Sequence, residues 1–202
     1  RRSSAPSPGG CGHSFGGVLS SLVLARHPTL FARAVLLDPV LFTPAMIGVM
    51  ALSETLGLQL RGSLAKKARL RRSQWPDRAA AYAGLRGRGI FKGWTDEALW
   101  AYVEYALKES DGGVELKCRP SREAEIFSSF PRRLWPSLGK ITTPTRVLYG
   151  DRTYPFVAKS VARWCSLNPQ VSAHVVVGGH CFMQEDPADA AERVRDFLLP
   201  NP

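Results

Sequence analysis

The residues that could do chemistry in this chain begin with Ser14, in the stretch GHSFGG from Gly12 to Gly17. The stretch fits G-x-S-x-G. A serine so placed sits at the apex of a sharp strand-to-helix turn, with its hydroxyl raised above the sheet. Small neighbours suit such a turn, because the serine backbone is strained and its flanks are crowded. A hydroxyl is a weak nucleophile until a base takes its proton, so Ser14 needs an imidazole nearby and an acid to orient that imidazole. The pentapeptide decides little by itself, since glycine and serine are common in loops. It needs a strand before it, a helix after it, and a histidine and an acid downstream.

The elements that must position these groups follow in an α/β order. Residues Phe15 to His27 read as a helix, with Val18, Leu22 and Ala25 on one stripe, Leu19 alongside, and Pro28 ending it. ARAVLLDPV is a short apolar run ending in Asp38-Pro39, which predicts a buried parallel strand. From Pro44 to about Lys140 the pattern turns helical. WTDEALWAYVEYALKES has Thr95 as its N-cap and a stripe of Leu99, Tyr102, Val103, Ala106 and Leu107. RPSREAEIFSSF is a second helix, and GLRGRG, DGG and FPRRLWPSLG are the joints. The α/β order then resumes with the strand TTPTRVLYGD, the helix TYPFVAKSVARWC and the strand VSAHVVVGGH. Asp186 caps a last helix, with Pro187 at its first position and Ala190, Ala191, Val194, Phe197 and Leu198 facing inward.

Taken together, GHSFGG, the strand ending LLDP, the helical insertion, VLYGD and VVVGGHCFMQEDP resemble the α/β-hydrolase superfamily, in particular its capped serine esterase and lipase-like members. The resemblance runs from Gly12 to the C-terminus. It implies an α/β fold: a partial parallel sheet flanked by helices, with a helical cap. On that reading residues 1–43 and 141–202 form the hydrolase core and 44–140 the cap insertion. It also implies Ser14 as nucleophile, His180 as general base and then acid, and the Phe15 backbone N–H as an oxyanion donor. His180 follows the last strand after two glycines and precedes Asp186-Pro187, as family histidines do, and an imidazole suits the proton transfers. His13, within the elbow, His27, at a helix end, and His174, at a strand start, are read as structural or surface residues.

The acid has two candidates. In most of the family it lies three residues after the glycine of the VLYG strand, and here that position is Thr153. Asp151 lies one residue after the glycine and could equally stabilise the turn. Asp38 sits in a Leu-Asp-Pro context similar to that of some lipases, at the C-terminal edge of a parallel strand, where open α/β sheets carry their sites. Asp38 is preferred over Asp151. Its alternative role is a cap or turn anchor.

The front of the chain departs from the family. SSAPSPGGC, with two prolines and two glycines, is a poor central strand, which predicts that the ARAVLL strand is left as an unpaired edge. Upstream strands and the loop carrying a second oxyanion donor are missing. The expectation is an N-terminally truncated hydrolase.

Bulk composition narrows the remaining choices. At 202 residues the chain can build a sizeable core. Its 45% hydrophobic and 22% charged content is that of an ordinary globular protein. No apolar run approaches the roughly 18 residues of a membrane span. Four cysteines, Cys11, Cys118, Cys165 and Cys181, show no metal-ligand spacing, and are read as free thiols of a cytoplasmic protein without metal or cofactor. The net charge of +10 is concentrated in RGSLAKKARLRRSQWPDR, with Arg61, Lys66, Lys67, Arg69, Arg71 and Arg72. It is read as a solvated helix face rather than a nucleic-acid or membrane surface. The expected partner is therefore a small, partly apolar ester, thioester or lactone, suggested by Trp94, Trp100, Tyr102 and Tyr105 of the insertion. Those rings also suit simple packing. The rival reading, favoured by Thr153 in the usual acid position and by the missing front, is a degenerate, non-catalytic member that binds a ligand or partner.

Overall fold

The computed structural model describes residues 8–57 and 63–199. In chain order the elements begin with β1 (Gly9–His13), α1 (Ser14–Arg26), β2 (Arg33–Leu37), α2 (Pro44–Thr55), α3 (Ser63–Arg69), β3 (Gln74–Trp75) and α4 (Arg78–Leu85). There follow α5 (Asp96–Ala106), β4 (Leu107–Ser110), β5 (Gly113–Leu116), α6 (Pro120–Phe127) and α7 (Leu134–Leu138). The chain ends with β6 (Thr145–Gly150), α8 (Pro155–Leu167), β7 (Val171–Val176), α9 (Phe182–Glu185) and α10 (Pro187–Leu198). Two compact units result, one from Arg1–Ala45 with Arg132–Pro202 and one from Met46–Pro131.

The first unit is an α/β layer. Its sheet has the order β1-β2-β6-β7, and each neighbouring pair is parallel. Parallel neighbours need crossovers; α1 makes one between β1 and β2, and α8 another between β6 and β7. All four strands therefore point the same way, and the segments that follow them gather at one edge of the sheet. On one face Val35, Leu37, Leu148 and Val176 pack against Phe182, Ala190 and Phe197, with Val194 and Leu198 at the border. Ala191, expected on this inner face of α10, is exposed.

The segment before Ser14 corrects the sequence expectation. Gly9–His13 does form a strand, paired in register with Arg33–Leu37, so β2 is an interior strand and not an edge. The strand lacks β-branched residues because its neighbours supply the packing. A Cβ on Gly9 would lie 3.1 Å from Leu198, and one on Gly10 would lie 3.2 Å from Phe31. Side chains from α10 and the α1–β2 loop thus rest directly on strand backbone.

Helix α1 also turns a different face inward. Gly17, Val18, Ser21 and Leu24 are buried, in place of the expected Val18, Leu22, Ala25 stripe, and Leu19 is exposed. Ser21 is tolerated inside because its hydroxyl donates to the Val18 carbonyl at 2.7 Å.

The second unit is not purely helical. Strands β3, β5 and β4 form an antiparallel sheet in that order. The helix predicted through Leu107 stops at Ala106, and Leu107 becomes a buried strand residue. Trp75, Ala81, Val103, Leu107, Val114 and Leu116 make this unit's core. Thr95 caps α5 by accepting from the Ala98 N–H at 3.1 Å. Trp94, Tyr102 and Phe91 meet edge to face, and Trp100 stacks on Tyr82, while Tyr105 is exposed.

Of the basic segment, Arg61 lies outside the described residues. Lys66, Lys67 and Arg69 are exposed on α3, whose Ala65 and Ala68 are buried. Arg71 is committed to the Glu123 carboxylate at 2.8 Å and to the Tyr102 hydroxyl, and Arg72 lies over the Trp75 ring. Among the described residues no helix is long and apolar enough to cross a membrane.

Candidate active site

Every side chain of the site leaves the C-terminal end of a first-unit strand, as the parallel register requires. Ser14 follows β1, Asp38 follows β2, Thr153 and Tyr154 follow β6, and His180 follows β7.

Ser14 opens α1 with φ 54°, one of two non-glycine residues at positive φ among those described; Asp38 is the other, at 43°. Such a backbone costs a β-carbon residue on the order of 1–3 kcal/mol and must be held by its surroundings. At the elbow the restraint is the closeness of strand to helix. A Cβ on Gly12 would meet the Ser20 hydroxyl and lie 2.8 Å from the Gly16 carbonyl oxygen. Gly17 is similarly crowded by Pro39, whereas a Cβ on Gly16 would meet nothing. Crowding thus accounts for Gly12 and Gly17 but not for Gly16.

The Ser14 Oγ lies 2.8 Å from His180 Nε2, and His180 Nδ1 lies 2.9 Å from Asp38 Oδ1. Asp38 is completely buried. Its Oδ2 accepts the Gly150 N–H at 2.9 Å, and its Oδ1 also accepts the Thr153 hydroxyl at 2.6 Å. The Gly150 N–H and the Thr153 O–H both donate to these oxygens, and an ionised carboxylate only accepts. The proton on the imidazole then belongs to Nδ1, leaving the Nε2 lone pair to accept from the Ser14 hydroxyl. The Phe15 N–H lies in the first turn of α1, where amides have no partner within the helix.

Asp151 is placed elsewhere. It is exposed, its Oδ1 accepts the Gly178 N–H at 2.9 Å, and it pairs with Arg152. The loop from β7 to α9 is anchored in this way at its base. Gly179 N–H donates to Glu185 at 2.8 Å, and a Cβ on Gly150 would collide with the carbonyls of Gly178 and Gly179. Only a bare backbone lets the His180 loop cross so close to the end of β6.

The His180 ring is flanked by His13 and Tyr154, with centroids 4.8 and 5.0 Å away. His13 Nε2 donates to the His180 carbonyl at 2.9 Å. Burial pushes the His13 imidazole below its ordinary value; the bond to the His180 carbonyl and the nearby Asp38 oppose this, and the neighbouring His180 side chain adds to it. Tyr154 stacks on Phe156, which meets Phe42, so a file of rings leads away from His180 within the first unit. Cys181 is no rival nucleophile. Burial pushes its thiol up to about 11, with Asp38 adding to the effect, so it carries no thiolate at neutral pH. His27 is exposed at the end of α1, and His174 lies within β7. Among the described residues no group of three or more His, Cys, Asp or Glu could hold a metal ion.

The residues that sequence reasoning missed are the partners of Asp38. Thr153 was visible only as a residue unable to be the acid, and a donating role has no sequence signature. Tyr154 and the Gly150 N–H were equally silent, because their role depends on where β6 ends.

A model of the Alpha/beta hydrolase family matches residues 4–193. No curated protein sequence matches the chain significantly. Among solved structures, E-2-(acetamidomethylene)succinate hydrolase superposes with TM-score 0.71 at 21% identity, covering 94% of this chain and 66% of that one. A peroxisomal α/β-hydrolase of Saccharomyces cerevisiae gives 0.72 at 19%, covering 96% and 54%. An esterase of Mycobacterium tuberculosis gives 0.63 at 21%, covering 94% and 62%. Likenesses at this identity speak to the fold, and the chain spans between 54% and 66% of the length of these three structures.

Proposed function

Because the chain belongs to the α/β-hydrolase family, we propose that it is a serine hydrolase cleaving a carboxylic ester, thioester or lactone. The observation that carries this reading is the unbroken line of hydrogen bonds from Ser14 Oγ through His180 to Asp38. Ser14 Oγ attacks the carbonyl carbon as its proton passes to His180 Nε2. The oxyanion forms beside the Phe15 N–H at the start of α1, a position suited to negative charge. Collapse of the tetrahedral adduct breaks the bond to the leaving group, which takes the proton from Nε2. Water, deprotonated by the same nitrogen, then releases the acid from Ser14. Asp38 stays ionised throughout, holding the ring and stabilising its charged form.

A partly apolar substrate is supported by the file of Tyr154, Phe156 and Phe42 beside His180. One of the two observations that favoured a non-catalytic protein was threonine in the usual acid position. On this reading Asp38 takes that role, reaching the imidazole from the neighbouring strand.

The experiment is turnover of p-nitrophenyl esters of rising chain length by the full chain, with Ser14→Ala as control. We expect hydrolysis that favours medium chains over acetate and disappears in the variant. Equal background rates in both proteins would refute the enzymatic reading.

A further inference from the structure

We propose that Thr153 is a positioning residue: its hydroxyl locks the carboxylate of Asp38 in the rotamer that meets His180. This deepens the serine-hydrolase reading, on which its kinetic consequence rests.

A carboxylate turns easily about its Cβ–Cγ bond, because torsions onto an sp² carbon have broad wells. The Asp38 backbone, at φ 43°, aims the side chain but leaves that last rotation free. Two donors from one turn remove it. The Gly150 N–H holds Oδ2 at 2.9 Å, and the Thr153 hydroxyl holds Oδ1 at 2.6 Å. The Thr153 N–H in turn donates to the Gly150 carbonyl at 3.3 Å, so both donors belong to one closed turn after β6. Oδ1 is the same oxygen that accepts His180 Nδ1–H.

A short O–H···O⁻ bond in a dry site is among the stronger hydrogen bonds a protein makes. Without it, the Gly150 N–H is the one donor left from the turn. A single bond restrains the Cβ–Cγ rotation less than two, and the carboxylate can turn so that Oδ1 moves off the imidazole. The Nδ1 proton would then lose its fixed partner, and the alternative tautomer, which cannot accept from Ser14, would become populated.

The test uses the full chain with Thr153→Val, which keeps shape and removes the hydroxyl, Thr153→Ser, which keeps the hydroxyl, and Thr153→Ala should the valine variant fail to fold. The first readout is the ¹H–¹⁵N long-range spectrum of the His180 imidazole, which reports the tautomer whether or not the protein is active. We expect the Nδ1–H form in wild type and Thr153→Ser, and a mixture in Thr153→Val or Thr153→Ala. The second readout is Ser14 acylation kinetics with p-nitrophenyl butyrate. Loss of a hydrogen bond to a charged group predicts a kcat about 10- to 100-fold lower with KM unchanged, rescued to within about threefold by serine.

An unchanged tautomer in the variants lacking the hydroxyl, or a serine variant as impaired as valine, would overturn the positioning role. The expected tautomer shift in Thr153→Val or Thr153→Ala, together with a wild-type chain that turns over no ester, would overturn the hydrolase reading and leave Thr153's role standing.

Discussion

Two aspartates end two neighbouring strands of the same sheet, and they are put to opposite uses. Asp38 follows β2 and Asp151 follows β6, each directly after an apolar strand. Asp38 is fully buried, takes up a left-handed backbone, and receives Gly150 N–H, Thr153 O–H and His180 Nδ1–H. Asp151 is exposed, pairs with Arg152, and holds the Gly178 N–H. Both act on the loop that carries His180. One fixes the ring, and the other fixes the base of the loop. What separates them is burial and the direction of approach, and spacing along the chain carries neither.

The largest expected difference comes from neutralising each in turn. Asp38→Asn offers an amide where three donors already point, so His180 loses the acceptor that sets its tautomer. We expect ester turnover to fall on the order of 10³- to 10⁴-fold, measured as kcat on p-nitrophenyl butyrate. A loss below tenfold would mean that Asp38 only braces the turn.

A far smaller effect is expected from Asp151→Asn, because an asparagine oxygen can still accept the Gly178 N–H. Turnover should stay within about threefold, and the pair with Arg152, being exposed, should contribute no more than about 1 kcal/mol to stability in urea. A collapse of activity in this variant would make the two aspartates equals and remove the distinction.

The smallest effect concerns the ring beside the site. Burial holds His13 below its ordinary value, so in the unfolded chain it gains its proton first, near a pH of about 6.5. Between the two values the unfolded state binds the extra proton, so stability is lost as pH falls through the unfolded value. We expect the melting temperature to drop less between about pH 7 and 5 in His13→Gln than in wild type. Parallel curves for the two proteins would show that His13 contributes nothing to the acid sensitivity.

Much of this arrangement is legible in the residues. The strand Thr145–Gly150, the helix Pro155–Leu167 and the proline-started α10 follow directly from apolar runs, caps and breakers. Asp38 could be preferred from its place after a buried strand. Strand β1 could not be read, because its packing comes from Leu198 and Phe31 lying on glycine backbone, and no property of Gly9 or Gly10 announces neighbours so distant in sequence. The hairpin Leu107–Ser110 with Gly113–Leu116 is marked in the sequence only by its joint, DGG. Asp111-Gly112 is a two-residue connection of a favoured kind, hidden by the strong helical period of the residues just before it. Thr153 illustrates the deeper limit, since whether a hydroxyl donates to a buried carboxylate depends on a register between strands.

The central claim is that Ser14 is activated through His180 and Asp38, and not through Asp151. Its most direct test is fluorophosphonate labelling of wild type, Asp38→Asn and Asp151→Asn side by side, with the modified residue located by mass spectrometry. We expect rapid stoichiometric labelling at Ser14 in wild type and Asp151→Asn, and labelling slowed by orders of magnitude in folded Asp38→Asn. Wild type that does not label, or Asp38→Asn that labels as fast as wild type, would contradict it.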